Sequence, residues 1–536
     1  MDRTKQIPQA GCYRLCKGVR IVKQEQSIVA ICDYPLRVMR LNATTAHLMT
    51  LCHQEHTCEH LAQLVNLPVK KVKALCDQLR WKGFLEAGPA LAPMIWPHIS
   101  IIIPSYNRVR ELKRCLLALF KLDYPASCLE ILVVDDGSTD ETPVMLQTML
   151  VEAAKHQIAM RTIRQDKQQG VAISRNTGAA EAQYDLLAYI DSDCVASPSW
   201  LAELVPTFQD RCIGAVGGMI RAYERATMLG RYEDVRSSLF MGQRPQQVQL
   251  EGPLTYLPTA NLLIRRSIWE QISGFAPLTF GEDVDFCRRL LATGARIEYL
   301  PQGIVYHDYR TTLAAFSRTR AAYASSEAAL LQRHPTQRRI LLLPPEQAAF
   351  AGLTLGGLWN ILWSLRKHRP TGTAQREAHR RWWIFSLLSC LFTLVLTIFG
   401  VRIRMQKIRQ QNILIAPQTI IKATIRGHLA YTYHLCRHVT RYYMLPLLIV
   451  SLLIPPFLLL TLILCSVVIG VDYIRLRPDM SLSKYALCSM LDDCAYEVGV
   501  VQGCLKHKTW KPLFPVFKRK MKTSSNKANS KESSNL

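Results

Sequence analysis

Three apolar runs that each turn abruptly polar constrain this chain more than anything else in it. They are ISIIIPSYN (99–107), ILVVDDGSTDE (131–141) and AYIDSD, which ends in Asp191 and Asp193. Continuous β-branched runs of this length read as strands buried on both faces, as in a parallel sheet. Ligands of open parallel sheets bind just beyond the carboxyl ends of the strands. Here those ends carry Asn107, Arg108, Asp135, Asp136, Asp191 and Asp193, so one crevice collects acids, a base and an amide. Helices are expected after each strand, at 109–121, 140–155 and 171–183, the second opened by a capping-box pattern of Ser138 and Glu141. Successive βα units imply right-handed crossovers and an α/β fold with a doubly wound, mostly parallel sheet. YLPTANLLIRRS and RIEYLPQGIVYH supply later strands. Between them, GEDVDFCRRLLATG reads as a helix with acids in its first turn and Gly294 past its end.

A chain of 536 residues exceeds one ordinary core, so several domains are expected. Residues 18–87 read as a small winged-helix-like α+β domain. VRIV, SIVAI and LRVMRL form its strands. Asn42 caps ATTAHLMTLC, two more helical segments follow with Pro68 in a first turn, and GFLE closes the unit. Residues 88–97, rich in proline, form a linker to the central domain at 98–335. From 340 to 515 the chain becomes strongly apolar, with two to four candidate membrane spans. The strongest are 382–401 and 443–471, the latter broken by Pro455-Pro456 into one kinked span or a hairpin of two halves; 347–365 is weaker. A polar tail at 516–536 reads as disordered.

Lys and Arg outnumber Asp and Glu by 66 to 41. Most of the excess flanks the apolar segments or sits in the tail, which fits an anionic membrane surface better than nucleic acid. The 17 cysteines follow no disulfide-like spacing, which points to reduced thiols. The first residues lack a secretory apolar core, so the central domain, which precedes every span, is expected on the cytoplasmic face of the inner membrane.

The acids at the strand ends carry the chemistry. Asp191-Ser192-Asp193 suits a hard divalent cation, Mg²⁺ or Mn²⁺, bridging to phosphate oxygens. The tripeptide alone is weak; its place at a third strand end gives it weight. Asn107 and Asp136 are candidates to hydrogen-bond a nucleobase, with Tyr106 stacking on it. A plain turn before a capped helix also accounts for part of DDGS. Arg175 faces either phosphate or a surface salt bridge. Glu282, Asp283 and Asp285 open a helix, where the dipole alone favours acids; the alternative is a general base for an attacking hydroxyl. His307, ending IVYH, is a candidate to complete a metal shell with Asp193, against the commoner structural role of a lone histidine. CHQEHTCEH (52–60) lacks the second half of a zinc site. Walker, nucleophile-elbow and dinucleotide fingerprints are absent from the sequence.

IIIPSYNR, VVDDGSTDE, AISRNTGAA, AYIDSDC and GEDVDFCRRL, in this order, resemble the inverting family 2 glycosyltransferases of GT-A fold. The resemblance implies a nucleotide-sugar donor. It puts Pro104, Tyr106, Asn107, Arg108 and Arg175 around the nucleotide, with Asp135 or Asp136 at the base. It puts Asp191, Asp193 and His307 at the metal on the diphosphate, and Asp283 beside Glu282 as the base that deprotonates the acceptor. Asn261 and Asp285 would line the sugar and acceptor pocket. Processive members carry QxxRW on the next helix; FSRTRAAYASS (316–326) stands there instead, which disfavours a long polysaccharide. Arg318 and Arg320 are left as candidate diphosphate contacts.

PLRVMRLNATTAHLMTLC, two further helices and KGFLE resemble the PqqD-like domains that bind a leader peptide by strand addition. A DNA-binding winged helix would need a basic recognition helix paired with a dimer element, which is not evident. With LDDCAYEVGVVQG near the end, the whole architecture resembles the mycofactocin-system glycosyltransferases. That resemblance implies transfer of glucose, from UDP-glucose, to a peptide-derived redox cofactor or its precursor. The competing readings are transfer to a polyprenyl phosphate or envelope polysaccharide, and a non-catalytic membrane scaffold that holds a peptide.

Overall fold

A computed structural model describes residues 12–24, 27–33, 36–87, 96–366, 373–410, 413 and 415–518. Most of the expected linker (88–95) and most of the expected tail (519–536) lie outside the described residues. The chain divides into two compact units, residues 1–319 with 478–488, and residues 320–477 with 489–536.

The first unit begins with β1 (Cys12–Leu15), β2 (Val19–Gln24), β3 (Ser27–Asp33) and β4 (Leu36–Leu41), the last three an antiparallel meander. There follow α1 (Ala43–Leu51), β5 (His56–Thr57), α2 (Cys58–Leu64), α3 (Val69–Trp81) and β6 (Leu85–Ala87). Asn42 caps α1 as expected, its side-chain oxygen accepting from the Thr45 amide at 2.8 Å. The helices close over the sheets through Leu48, Met49, Leu61, Val72 and Leu79. β1 and β5 were not anticipated. They pair with each other, and β1 also with β6, in strands too short to carry a periodic signal. Cys52 and Cys58, the cysteines of CHQEHTCEH, are buried in this core, which pushes their thiols up to about 12 and about 11. The polar face of α3 is also occupied, by ion pairs from Lys73 to Asp210, Asp77 to Arg296 and Arg80 to Glu298.

The larger part of the unit runs β7 (Ile99–Ser105), α4 (Val109–Leu119), β8 (Leu129–Asp135), α5 (Thr142–Lys155), β9 (Ala159–Arg164), α6 (Val171–Glu181) and β10 (Leu186–Ile190). It continues with β11 (Cys194–Ala196), α7 (Trp200–Leu204), β12 (Ile213–Gly217), β13 (Ile220–Ala222), α8 (Met228–Arg236) and β14 (Gln246–Gln247). It ends with β15 (Asn261–Arg265), α9 (Arg266–Gln271), α10 (Glu282–Ala292), β16 (Arg296–Tyr299) and β17 (Val305–His307). The main sheet has the order β14-β16-β12-β15-β10-β7-β8-β9. β10, β7, β8 and β9 are parallel, but β15 lies antiparallel to both neighbours, as does β14 to β16. Six of the eight strands run one way and helices cover both faces, as expected of a doubly wound, mostly parallel sheet, but the reversed β15 and β14 make it mixed, which the apolar runs do not predict. The reason is physical: a strand buried on both faces has the same composition whichever way it runs, so apolar content carries no direction. A small second sheet, β11-β17-β13, carries His307 directly opposite Cys194.

The capping box does not form. α5 starts at Thr142, whose amide donates to Asp140 Oδ1, while the Ser138 hydroxyl accepts from the Asn107 amide. α6 lies close on the sheet at Gly178, where a Cβ would stand 2.6 Å from Ile102 Cγ2 and 3.1 Å from Val134 Cγ2. Any larger residue would push α6, and Arg175 one turn before, away from the strand ends.

The second unit is mainly helical. α11 (Leu313–Arg333) enters it from the first. Then come β18 (Ile340–Leu342), α12 (Pro345–Arg366), α13 (Thr373–Gln410), α14 (Pro417–Leu453), α15 (Pro455–Leu476), α16 (Leu482–Lys506) and β19 (Val516–Lys518). β19, the start of the expected tail, instead pairs with β18. The Pro455-Pro456 break separates α14 from α15, which pack together through Tyr433, Cys436, Leu464 and Val468. α14 itself breaks at Tyr443, three residues before Pro446, and the Leu445 amide freed there donates to Glu497 of α16 at 2.8 Å. Asp492 and Asp493 of LDDCAYEVGVVQG pair with Arg437 and Arg441. Asp492 also holds Arg320, which is buried at 3.2 Å from it and so is not a free diphosphate contact; Arg318 is exposed. Among the described residues two helices, Trp383–Gln410 and Pro455–Leu476, are long and apolar enough to cross a membrane.

Candidate active site

At the end of β8 the two acids behave differently. Asp136 uses both carboxylate oxygens, accepting from the Gln169 and Gly170 amides at 2.8 and 2.9 Å, and so fixes the loop that leads into α6. Asp135 accepts from the Ser138 amide with Oδ1, while its buried Oδ2 has no hydrogen-bond partner among the described residues, its nearest cation being Arg164 Nη1 in an ion pair of 3.6 Å. Asp135 is thus the acid with acceptor capacity left. Asn107, in the left-handed region at φ +51°, accepts from the Thr139 amide at 2.8 Å. Its carbonyl braces the β8 loop and is not available to a base. Pro104 is buried within β7 opposite Val134, and Tyr106 follows half-buried beyond the strand end.

Arg175 forms no surface ion pair; it is committed to two acids inside the crevice. Its guanidinium is buried and donates to Asp191 Oδ1 at 2.8 Å and to Glu282 Oε1 at 2.7 Å. Burial alone would lower its pKa, but Asp191 and Glu282 outweigh that and hold it above the usual arginine range. Beside it, Asn176 exchanges two 2.8 Å hydrogen bonds with the Phe275 backbone. The Arg-Asn pair of AISRNTG therefore ties the end of β10 to the start of α10. That role had no signal in the sequence, because Glu282 and Phe275 lie about a hundred residues downstream.

Gly281, in the left-handed region at φ +81°, opens α10. Asp283 lies half-buried in its first turn, and its Oδ1 accepts from the Val284 amide. Burial, reinforced by the charge of Glu282 and partly offset by Arg175, pushes the Asp283 carboxyl up to about 7. A carboxylate so raised is matched to proton abstraction near neutrality.

The structure removes two residues from the expected pocket. Asp285 is buried and accepts from Arg289 Nε at 2.8 Å, and Arg289 in turn donates to the Ile272 and Gly274 carbonyls. Two residues along a helix is more than half a turn, so Asp283 and Asp285 point to different sides. Asn261 is fully buried: Trp200 Nε1 donates to its Oδ1 at 2.8 Å, and its Nδ2 donates to the Met219 and Gly303 carbonyls. Both are structural residues of the two sheets and α10.

Asp193 and His307 do converge. His307 Nε2 lies 3.5 Å from Asp193 Oδ1, and ligand atoms of Asp193, Cys194 and His307 all fall within 4.8 Å of one another. Arg108 Nη1 donates to Asp193 Oδ2 at 2.8 Å. Burial would raise the Asp193 carboxyl, but His307, Arg108 and Arg310 outweigh it and hold it below the usual range. Burial and the neighbouring acids push the Cys194 thiol well up, so it stays protonated and a poor ligand. His307 Nδ1 is buried without a hydrogen-bond partner among the described residues. A carboxylate, an imidazole with an unused nitrogen and Asp191 nearby fit a hard divalent cation. Asp191 itself turns to Arg175, outside the tight cluster. Arg310 carries no signal in the sequence; its charge acts on Asp193 only because β17 folds back against β11.

Residues 100–273 match the family model described as glycosyl transferase family 2. Asp135, Asp136, Arg175, Asp191 and Asp193 lie within that matched stretch, whereas Glu282, Asp283 and His307 lie beyond it. Over 428 residues the chain is 28% identical to the pre-mycofactocin glycosyltransferase of Mycobacterium tuberculosis, covering 78% of this chain and 82% of that protein. It is 29% identical over 217 residues to the glycosyltransferase AglE of Haloferax volcanii, covering 40% of this chain and 68% of that one. Among solved structures, the mannosyltransferase PcManGT of Pyrobaculum calidifontis, in complex with GDP-Man and Mn²⁺, is 17% identical with a TM-score of 0.37, covering 64% of this chain and 89% of that chain.

Proposed function

We propose that this chain is a membrane-attached, inverting glycosyltransferase that moves a hexose, glucose from UDP-glucose, onto a peptide-derived acceptor of the mycofactocin type. The observation that carries the reading is the Arg175 bridge, which holds the donor-side Asp191 and the acceptor-side Glu282–Asp283 pair around one crevice. The similarity to a pre-mycofactocin glycosyltransferase over most of both chains supports the acceptor class.

Asp135 and Tyr106 receive the base, and Arg108 lies where the diphosphate would come. Asp193 and His307, with Asp191, would hold Mg²⁺ or Mn²⁺, which neutralises charge on the departing diphosphate. Asp283 takes the proton of the acceptor hydroxyl. The acceptor oxygen bonds to the anomeric carbon as the bond from that carbon to the phosphate oxygen breaks, and the diphosphate leaves with the electron pair. Attack from the face opposite the leaving group turns an α-linked donor into a β-product.

The N-terminal domain is read as a peptide-recognition module in which β2 or β4 offers an edge for strand addition. The two long apolar helices are read as the attachment to the inner membrane, with the catalytic unit in the cytoplasm. The test is transfer by the purified full-length protein from a panel of nucleotide-sugars to a peptide-derived mycofactocin precursor and, in parallel, to a polyprenyl phosphate. Glucose transfer to the peptide-derived acceptor alone supports the reading. Transfer to polyprenyl phosphate alone replaces it, and neither transfer nor donor hydrolysis would leave a binding scaffold.

A further inference from the structure

The carboxyl-terminal end of α13 presents a charged surface that the glycosyl transfer does not use. Along this helix, large apolar side chains from Trp383 to Phe399 lie exposed, Leu387 at 71% and Phe399 at 61%. Immediately after Val401 come Arg402, Arg404, Lys407 and Arg409, and no acidic residue occurs between 378 and 410. Arg404 is committed to Glu346 of α12, at 3.8 Å. Among the described residues, no carboxylate pairs with Arg402 or Arg409. Those two, with Met405, Gln406 and Gln410, line a cavity of about 440 Å³. The five recur with helical spacing, so they form one stripe on the helix. Two guanidiniums and two carboxamides supply donors, while Met405 supplies an apolar contact.

We propose that this stripe is a binding site for the headgroup of an anionic phospholipid. The proposal rests on the reading of α13 as a membrane helix. The exposed apolar face requires acyl chains beside it, and the cations stand where that face ends, at the depth of lipid phosphates. Arginine side chains form paired hydrogen bonds to phosphate oxygens, and the carboxamides can reach the remaining headgroup oxygens. A free phosphate ion would satisfy the guanidiniums but leave the apolar face bare, so the site is assigned to the lipid.

The test uses the full-length protein in maltoside micelles, titrated calorimetrically with dioctanoyl-phosphatidylglycerol, dioctanoyl-phosphatidylcholine or inorganic phosphate. Saturable binding of the glycerol lipid is expected, with the choline lipid and phosphate much weaker. The double variant Arg402→Gln/Arg409→Gln should bind the glycerol lipid roughly 30-fold more weakly, since each basic residue near a lipid surface adds attraction of comparable size. Arg402→Lys/Arg409→Lys should keep most of the affinity, and both variants should keep the wild-type thermal unfolding midpoint. Equal affinity for both lipids, unchanged binding by the glutamine variant, or equal binding of inorganic phosphate would each overturn the site. Alkaline carbonate extraction of native membranes separates this from the underlying reading. Wild type and the glutamine variant should both stay in the membrane pellet, whereas release of the wild type would overturn the membrane reading and the site with it.

Discussion

Arg175 and Glu282, 107 residues apart in sequence, meet in a buried ion pair 2.7 Å long. The same guanidinium holds Asp191. One side chain thus sets the distance between the end of β10 and the start of α10. Removing it would leave two carboxylates in a poorly solvated crevice. Arg175→Met should lower stability by about 3–5 kcal/mol, the usual effect of stripping one partner from a buried pair. The check is thermal unfolding followed by near-ultraviolet circular dichroism. Arg175→Lys should recover part of the loss, because the charge returns without the fork that reaches both acids.

Asp283→Asn keeps the shape of the site and removes the proposed base. Transfer should fall about 10²–10⁴-fold, the range for loss of a positioned general base. Calorimetric binding of the nucleotide should be retained. Retained transfer in this variant would exclude Asp283 as the base.

The raised Asp283 carboxyl fixes the sign of the pH dependence. Below about 7 the group is mostly protonated and cannot accept the hydroxyl proton. The ratio kcat/KM should therefore fall about tenfold per pH unit on the acid side and level off above neutrality. An acid limb with its midpoint near the ordinary aspartate value, about 4, would contradict the account.

Asn261→Ala separates a structural role from a pocket role. It removes the partner of the Trp200 indole and of the Gly303 carbonyl, and one of the two donors to the Met219 carbonyl, at a cost of about 1–3 kcal/mol. The KM values of donor and acceptor should stay unchanged in the protein that remains folded. A large rise in acceptor KM with no loss of stability would restore the pocket role.

Chelation offers the last check. Dialysis against EDTA should abolish transfer, and Mn²⁺ or Mg²⁺ should restore it. Asp193→Ala and His307→Ala should each weaken Mn²⁺ binding measured by electron paramagnetic resonance. Unaltered binding in both variants would place the ion elsewhere.

Local pattern was enough for the strands 99–105, 129–135 and 186–190, for the helices 109–119, 142–155 and 171–181 and for the Asn42 cap, because neighbouring residues determine each. The same holds for which strand ends carry acids. Tertiary structure decided how those acids are used. Asp136 and Asn107 were read as ligand contacts, yet their side chains satisfy loop amides that only folding brings close. Asn261 and Asp285 were likewise read as pocket residues and are consumed by the core. Arg175 could not be placed because one of its two partners, Glu282, lies 107 residues away. The reversed direction of β15 was equally hidden, since a buried strand is apolar whichever way it runs. Composition and spacing describe what a residue offers; hydrogen-bond partners across the fold decide what it has left to offer a substrate.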